Sequence, residues 1–427
     1  MNKLIEVKLD YPQFDIRKYR ALNPAIFKKL DDLSKKIKNK TIIHINATPL
    51  GGGVAELLRS QILFERALGF DSRWLIIKAR DDFFDVTKKI HNLIQGKPGS
   101  FTQKDKETFL NVNVDLGESL KEYLKNFKSA VVIIHDPQPM PLIDFVPKNF
   151  PSIIRLHIDM STPNPAIMDF LRPLIIKYDE IIHSSEEYTK CMLWADKSKI
   201  RIVYPAIDPF TEKNTGMSHR TARAIMEQFE INITKPIVTQ VSRFDPWKDP
   251  MGVINAYYLA KNKIPDLQLV LAGFFFAKDD PEAISVFEKV KKHAEGDHDI
   301  HLFEDPRKLK EVSNNVFINA LYTASTVVIQ KSLREGFGLT MTEAMWKAKP
   351  LIAGITTGAL IQIKNGKNGI LVSSPKEAGE AIVKLIKNPK LAEKMGNAAH
   401  KSVKKNFLMT RYILDMVNSY ASVSAKN

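Results

Sequence analysis

Ser325-Thr326-Val327-Val328-Ile329-Gln330 runs directly into Lys331-Ser332-Leu333-Arg334-Glu335-Gly336-Phe337-Gly338-Leu339-Thr340-Met341-Thr342-Glu343-Ala344-Met345-Trp346. The first six residues read as a buried strand. A Gly-Phe-Gly turn follows, and the spacing predicts a helix opening at Thr340. Strand, glycine turn and helix form the unit of a doubly wound α/β sheet. Glu335 and Glu343 bracket the turn. Glycines at 336 and 338 let a ligand approach the backbone. A helix N-terminus suits a phosphate. Glutamates accept hydrogen bonds from sugar hydroxyls. Together these point to a sugar-nucleotide site. The same residues also spell a capping box, Thr340-x-x-Glu343, and a Gly-x-Gly turn occurs in many doubly wound sheets. This stretch alone leaves both readings open.

Working outward, apolar runs alternate with helix-length segments. The first series is Thr41 to Ala47, Arg73 to Lys78, Ala130 to Asp136, Ser152 to Ile158, Glu180 to Ser185 and Arg201 to Ile207. The second begins at Pro236 and continues through Leu267 to Gly273, Asp299 to Glu304, Ser325 to Gln330, Pro350 to Ala353 and Gly369 to Val372. Runs apolar on both faces imply parallel sheets covered by helices. The fold class is therefore α/β with two doubly wound domains. A polar, helix-like stretch from Ser218 to Phe229 leads into the second series. A length of 427 residues agrees with two domains, because single cores rarely grow beyond about 250 to 300 residues.

Composition narrows the class. Apolar residues make up 44% and charged residues 26%, an ordinary globular balance. Cys191 is the single cysteine, so no intramolecular disulfide exists, in keeping with a reducing compartment. Residues 1–10 lack the apolar core of a signal peptide, and no apolar run reaches bilayer length. The expectation is a cytoplasmic protein with no membrane partner. The net charge of +15 would permit nucleic acid. The lysines are dispersed in short groups such as Lys35-Lys36-Ile37-Lys38 and Lys404-Lys405 without interleaved aromatics, which favours solvated surface. His293, His298 and His301 lie in a charged segment and read as solvent-exposed rather than as metal ligands.

Ligands of open α/β sheets bind beyond the carboxyl ends of strands. After the first run comes Gly51-Gly52-Gly53-Val54-Ala55-Glu56, a glycine-rich entry to a helix that lacks the dinucleotide fingerprint and a Walker lysine. A phosphate cradle and a tight turn suit it equally. After the third run, Asp136 and Gln138 in His135-Asp136-Pro137-Gln138-Pro139 could hold polyol hydroxyls. After the fourth stands His157, either a sugar ligand or a packing residue. The first strand of the second domain leads into Arg243 and Lys248, cations suited to a diphosphate or to surface pairs with Asp245 or Asp249.

In combination, Gly51 to Gly53, Arg243 with Lys248, and Glu335-x7-Glu343 resemble the retaining glycosyltransferases of family 4. More closely, Gly51 to Glu56, Asp82 to Lys88, His135 to Pro139, His157 to Asp159, Ile207 to Pro209, Ser242 to Pro250 and Gln330 to Trp346 are similar to the glycosyltransferring trehalose synthases and the related trehalose phosphorylases. The resemblance implies the GT-B fold, two facing Rossmann-like domains with the C-terminal helix crossing back to the first. It implies an acceptor-side domain over 1–213, a nucleotide-sugar domain over 214–408 and a returning helix over 409–427. Catalytic roles would fall to Glu335, Arg243, Lys248 and His157. Gly52, Gly53, Arg243, Lys248, Gly338, Leu339, Thr340 and Glu343 would bind the nucleotide sugar. Asp136, Gln138 and Glu56 would line the acceptor side.

The implied reaction forms trehalose reversibly from ADP-, UDP- or GDP-glucose and glucose, with retention, no metal and no further cofactor. A homodimer is expected, with a nucleotide sugar and a hexose as partners and no nucleic acid. A phosphorylase using inorganic phosphate is the near alternative, and a non-catalytic sugar-nucleotide-binding protein the alternative from another class. One departure stands out. Gly354-Ile355-Thr356-Thr357-Gly358-Ala359-Leu360-Ile361-Gln362 replaces the family's Gly-Gly-x-Pro segment, which changes the freedom of that turn. Gly273-Phe274-Phe275-Phe276 is also more apolar than expected near a nucleotide.

Overall fold

The computed structural model describes residues 2–9, 14–37, 40–50, 52–274 and 281–425. The chain divides into two compact units, Met1–Pro205 with Met409–Asn427, and Ala206–Leu408. Residues 206–213, expected in the first domain, thus fold with the second, where Trp346 Nε1 donates to the carbonyl of Asn214 at 3.0 Å.

Among its described residues the first unit holds seven strands: β1 (Lys3–Glu6), β2 (Thr41–Asn46), β3 (Asp71–Lys78), β4 (Ala130–His135), β5 (Ser152–Arg155), β6 (Glu180–His183) and β7 (Ile200–Ile202). Their order is β1-β3-β2-β4-β5-β6-β7. All pairs are parallel except β1 with β3. That antiparallel edge was not anticipated. β2 and β4 are buried along their whole length, as expected of strands covered on both faces. The core joins Ile43, Ile134, Ile154 and Ile181 of the sheet to Phe83, Phe109 and Leu171 of the helices. Helix Met409–Ser424 belongs to this unit and packs on helices Pro24–Lys36 and Gly53–Ala67. Arg411 ties its start to the carbonyl of Tyr204 at 2.5 Å.

The second unit holds β8 (Ile237–Val241), β9 (Gln268–Ala272), β10 (Ile300–Phe303), β11 (Val327–Gln330), β12 (Leu351–Gly354) and β13 (Ile370–Val372). The order β10-β9-β8-β11-β12-β13 is all parallel. Strand order reverses between β8 and β11 here, and between β2 and β4 in the first unit. Such switch points leave a crevice beyond the carboxyl ends of the two central strands. Arg243, Lys248 and Glu335 follow β8 and β11. The glycine loop and Asp136 follow β2 and β4.

Two smaller expectations need correction. His293 and His301 are half-buried rather than exposed. His293 lies 2.7 Å from Asn255 Oδ1, and His301 sits within β10. Only His298 is exposed. Among the described residues no group of three or more His, Cys, Asp or Glu is placed to hold a metal. No described helix is long and apolar enough to cross a membrane.

Candidate functional site

In the second unit, two loops are stitched together at the switch point. Asp245 caps the turn Pro246–Lys248 by accepting from the amide of Trp247 at 2.9 Å. Asp249, at φ 49°, caps helix Pro250–Lys261 by accepting from the amide of Gly252 at 3.0 Å. The amide of Leu333 donates to the carbonyl of Trp247 at 2.7 Å. Across this seam Lys248 Nζ pairs with Glu335 Oε2, and Lys331 Nζ pairs with Asp249 Oδ2. Arg243 pairs with Asp245 at 3.3 Å. Of the surface pairs considered from sequence, Arg243 with Asp245 therefore forms. Lys248 instead meets the proposed sugar ligand, Glu335.

The turn after Glu335 depends on Gly338. Its φ is 81°, and a Cβ there would lie 2.6 Å from Met341 Cε and 2.9 Å from Glu335 Cγ. Gly338 is the N-cap of helix Leu339–Trp346, and no side chain caps that end. The capping-box reading therefore fails. Thr340 is already inside the helix, and Glu343 is 1% exposed with Oε1 2.6 Å from Lys213 Nζ. A left-handed glycine starts the helix early, which leaves first-turn amides for an anion.

The departing segment packs directly on this turn. The amide of Gly358 donates to the carbonyl of Glu335 at 2.9 Å, and Gln362 Nε2 donates to that of Phe337 at 2.6 Å. A Cβ on Gly354 would lie 2.2 Å from the carbonyl of Ser332, and one on Gly358 2.5 Å from that of Phe337. Thr356 caps helix Thr357–Gln362 with its own hydroxyl. The segment thus reaches the turn without the family's proline. Phe274 packs edge-on to Phe317, which accounts for part of the apolar run after β9. Phe275 and Phe276 lie outside the described residues.

In the first unit, Gly52 is the N-cap of helix Gly53–Ala67, and a Cβ at Gly52 would meet nothing within 4 Å. Glu56 is exposed on the first turn, while Gly51 lies outside the described residues. Asp136 has φ 64° and accepts from the amide of His157 at 2.7 Å. Burial pushes its carboxyl up to about 7. Gln138 Oε1 is buried without a hydrogen-bond partner among the described residues. Burial, then the Arg155 guanidinium, hold the His157 ring well below its usual pKa, so it is neutral.

The sequence reading missed Lys331, Lys213, Arg155, His44 and Glu65. Each is buried. A titratable residue inside or just after an apolar strand was the available signal for His44, Arg155 and Lys331.

The pattern described as trehalose synthase, N-terminal domain, matches residues 44–190, and that of glycosyl transferases group 1 matches 222–402. A trehalose synthase of Pyrococcus horikoshii is 40% identical over 395 residues, 92% of this chain and 92% of its own length. A trehalose phosphorylase of Pleurotus pulmonarius is 28% identical over 82% of this chain and 52% of its own. The E. coli structure described as trehalose-6-phosphate bound with UDP-2-fluoro glucose aligns with a TM-score of 0.69 at 14% identity, over 90% of this chain and 99% of that one. The fold is accordingly GT-B, and the chain belongs to the trehalose synthase family of hexosyltransferases.

Proposed function

We propose that the protein transfers glucose, with retention and without a metal, between a nucleoside diphosphate and glucose, forming trehalose reversibly. The observation that carries this reading is the Lys248–Glu335 pair beside an uncapped helix N-terminus at the β8/β11 switch point. Support comes also from the 40% identical trehalose synthase and from the UDP-sugar named for the E. coli structure.

Breaking the sugar–phosphate bond places positive charge on the anomeric carbon and negative charge on the departing diphosphate. Lys248, Arg243 and the amides of Leu339 and Thr340 act where the negative charge develops. Glu335 accepts hydroxyls of the transferred glucose, and Glu343 takes the ribose. His157 is assigned a hydroxyl near the reacting carbon, and Asp136, Gln138 and Glu56 the acceptor, with Gly52 and Gly53 beside it. The acceptor oxygen bonds to the anomeric carbon as the carbon–oxygen bond to phosphate breaks, and its proton passes to the leaving phosphate oxygen. No side chain serves as nucleophile, unlike a retaining glycosidase with paired carboxylates.

The test is product analysis with trehalose and, in separate reactions, ADP, UDP, GDP and inorganic phosphate. Glucose released with a nucleoside diphosphate and not with phosphate supports the reading. Release with phosphate alone makes the protein a phosphorylase. No turnover with any of them, and no joining of glucose from nucleotide donors, points to a different disaccharide or to a protein that binds without turning over.

A further inference from the structure

Behind His157 runs a single file of hydrogen bonds through the first unit. His157 Nε2 lies 3.0 Å from His135 Nδ1, His135 Nε2 lies 3.1 Å from His44 Nδ1, and His44 Nε2 lies 3.0 Å from Glu65 Oε2. His135, His44 and Glu65 are buried, whereas His157 is part-exposed. The four residues come from β2, β4, the segment after β5 and helix Gly53–Ala67. Nothing in the transfer mechanism above uses the three behind His157.

The file has a direction. Glu65 is surrounded by donors: Gln61 Nε2 at 2.8 Å and the Tyr420 hydroxyl at 2.7 Å on Oε1, the Ser72 hydroxyl at 2.5 Å and His44 on Oε2. Gln61, Tyr420 and Ser72 donate to this carboxyl independently of the histidines, and such donation favours its ionised form. A carboxylate only accepts, so the His44 proton sits on Nε2. With His44 neutral, as the proposal takes it, its Nδ1 accepts, which requires the proton of His135 on Nε2. The same step places the His157 proton on Nε2. Burial keeps His135 neutral.

We propose that Glu65 is a positioning residue for the sugar site: through His44 and His135 it fixes His157 as the Nε2–H tautomer and leaves Nδ1 to accept a sugar hydroxyl. The consequence for catalysis rests on the assignment of His157 made above, while the tautomer itself does not.

Glu65→Gln separates the two. Gln61 is pinned by the Tyr412 hydroxyl at 3.1 Å on its Oε1, so its amide still donates toward position 65. The new amide oxygen therefore stays on that side, and its NH2 turns to His44 Nε2. Each ring must then carry its proton on Nδ1. Long-range proton–nitrogen spectra of histidine-labelled protein read this directly, with His157→Gln identifying the resonances. The expected result is Nε2–H at His157 in the wild type, Nδ1–H in Glu65→Gln, and a fall in kcat of about ten- to a hundredfold in a folded variant.

Nδ1–H at His157 in the wild type overturns the proposal, even if Glu65→Gln does not fold. An unchanged tautomer in Glu65→Gln overturns it as well. A reversed tautomer with full turnover overturns it if His157→Gln is inactive. If His157→Gln is fully active too, the tautomer control stands and the assignment of His157 to the sugar is what fails.

Discussion

The loops beyond β8 and β11 and the strand ends of the first unit are built from opposite materials. In the second unit every cation of the site faces a carboxylate: Lys248 with Glu335, Lys331 with Asp249, Lys213 with Glu343 and Arg243 with Asp245. In the first unit two of the proposed site groups are shifted toward their neutral forms, while Glu56 is an exposed carboxylate on the first turn of its helix. Asp136 is pushed up to about 7 and His157 well down. A site of paired charges suits an anion, because the ligand can replace a carboxylate without leaving a buried cation alone. A site of neutral donors and acceptors suits a polyol, whose hydroxyls match hydrogen bonds and not charge. Under the proposed function, the contrast assigns the anionic donor to the second unit and the acceptor hexose to the first.

The largest effect that would break this comparison is expected at Lys248. Lys248→Ala should lower kcat by about a hundred- to a thousandfold while circular dichroism reports an intact fold. Retained turnover would remove the anion site from the account. Glu335→Gln should cost about ten- to a hundredfold in kcat. Nucleoside diphosphate binding, followed by calorimetry, should not weaken, since Lys248 loses a competitor.

Glu343 sharpens the comparison differently. Replacing it by Gln strands Lys213, whose side chain is 11% exposed, and removing one partner of a buried pair costs about 3–5 kcal/mol. Both melting temperature and nucleotide affinity should fall. Adding Lys213→Met should restore the melting temperature and leave the affinity low. If affinity returns as well, Glu343 has only a structural role.

The smallest effect concerns the neutral side. The folded-state pKa of Asp136 is raised from 3.8 to about 7. Its stabilising contribution is therefore full below pH 4 and lost as pH rises through about 7. Asp136→Asn keeps an acceptor for the amide of His157, so it should gain stability relative to wild type at pH 8 by no more than about 4 kcal/mol, with little difference at pH 4. Denaturant titrations at the two pH values measure this.

Much of the fold was legible because parallel strands buried on both faces write continuous apolar runs, and each of the twelve runs read from the sequence overlaps one of strands β2 to β13, the run from Arg201 to Ile207 only at Arg201 and Ile202. β1 escaped because Lys3–Glu6 alternates along one exposed edge. The boundary near 213 was late because the segment before it owes its place to Lys213 meeting Glu343, 130 residues away. The clustering of Glu335, Gly338 and Lys248 was legible because all three sit in short loops after strands. The start of their helix was misplaced because a left-handed Gly338 replaces a side-chain cap. Glu65 could not be found from sequence. Its meaning lies in hydrogen bonds linking residues from β2, β4, the segment after β5 and two helices, and no local spacing records them.

The most direct measurement is proton NMR of the purified protein with a nucleoside diphosphate α-glucose and glucose, without added metal. The account predicts that the anomeric signal of α,α-trehalose appears first, as the donor signal declines. A β-linked product, or no new glycosidic signal with any of the ADP, UDP and GDP donors, would contradict it.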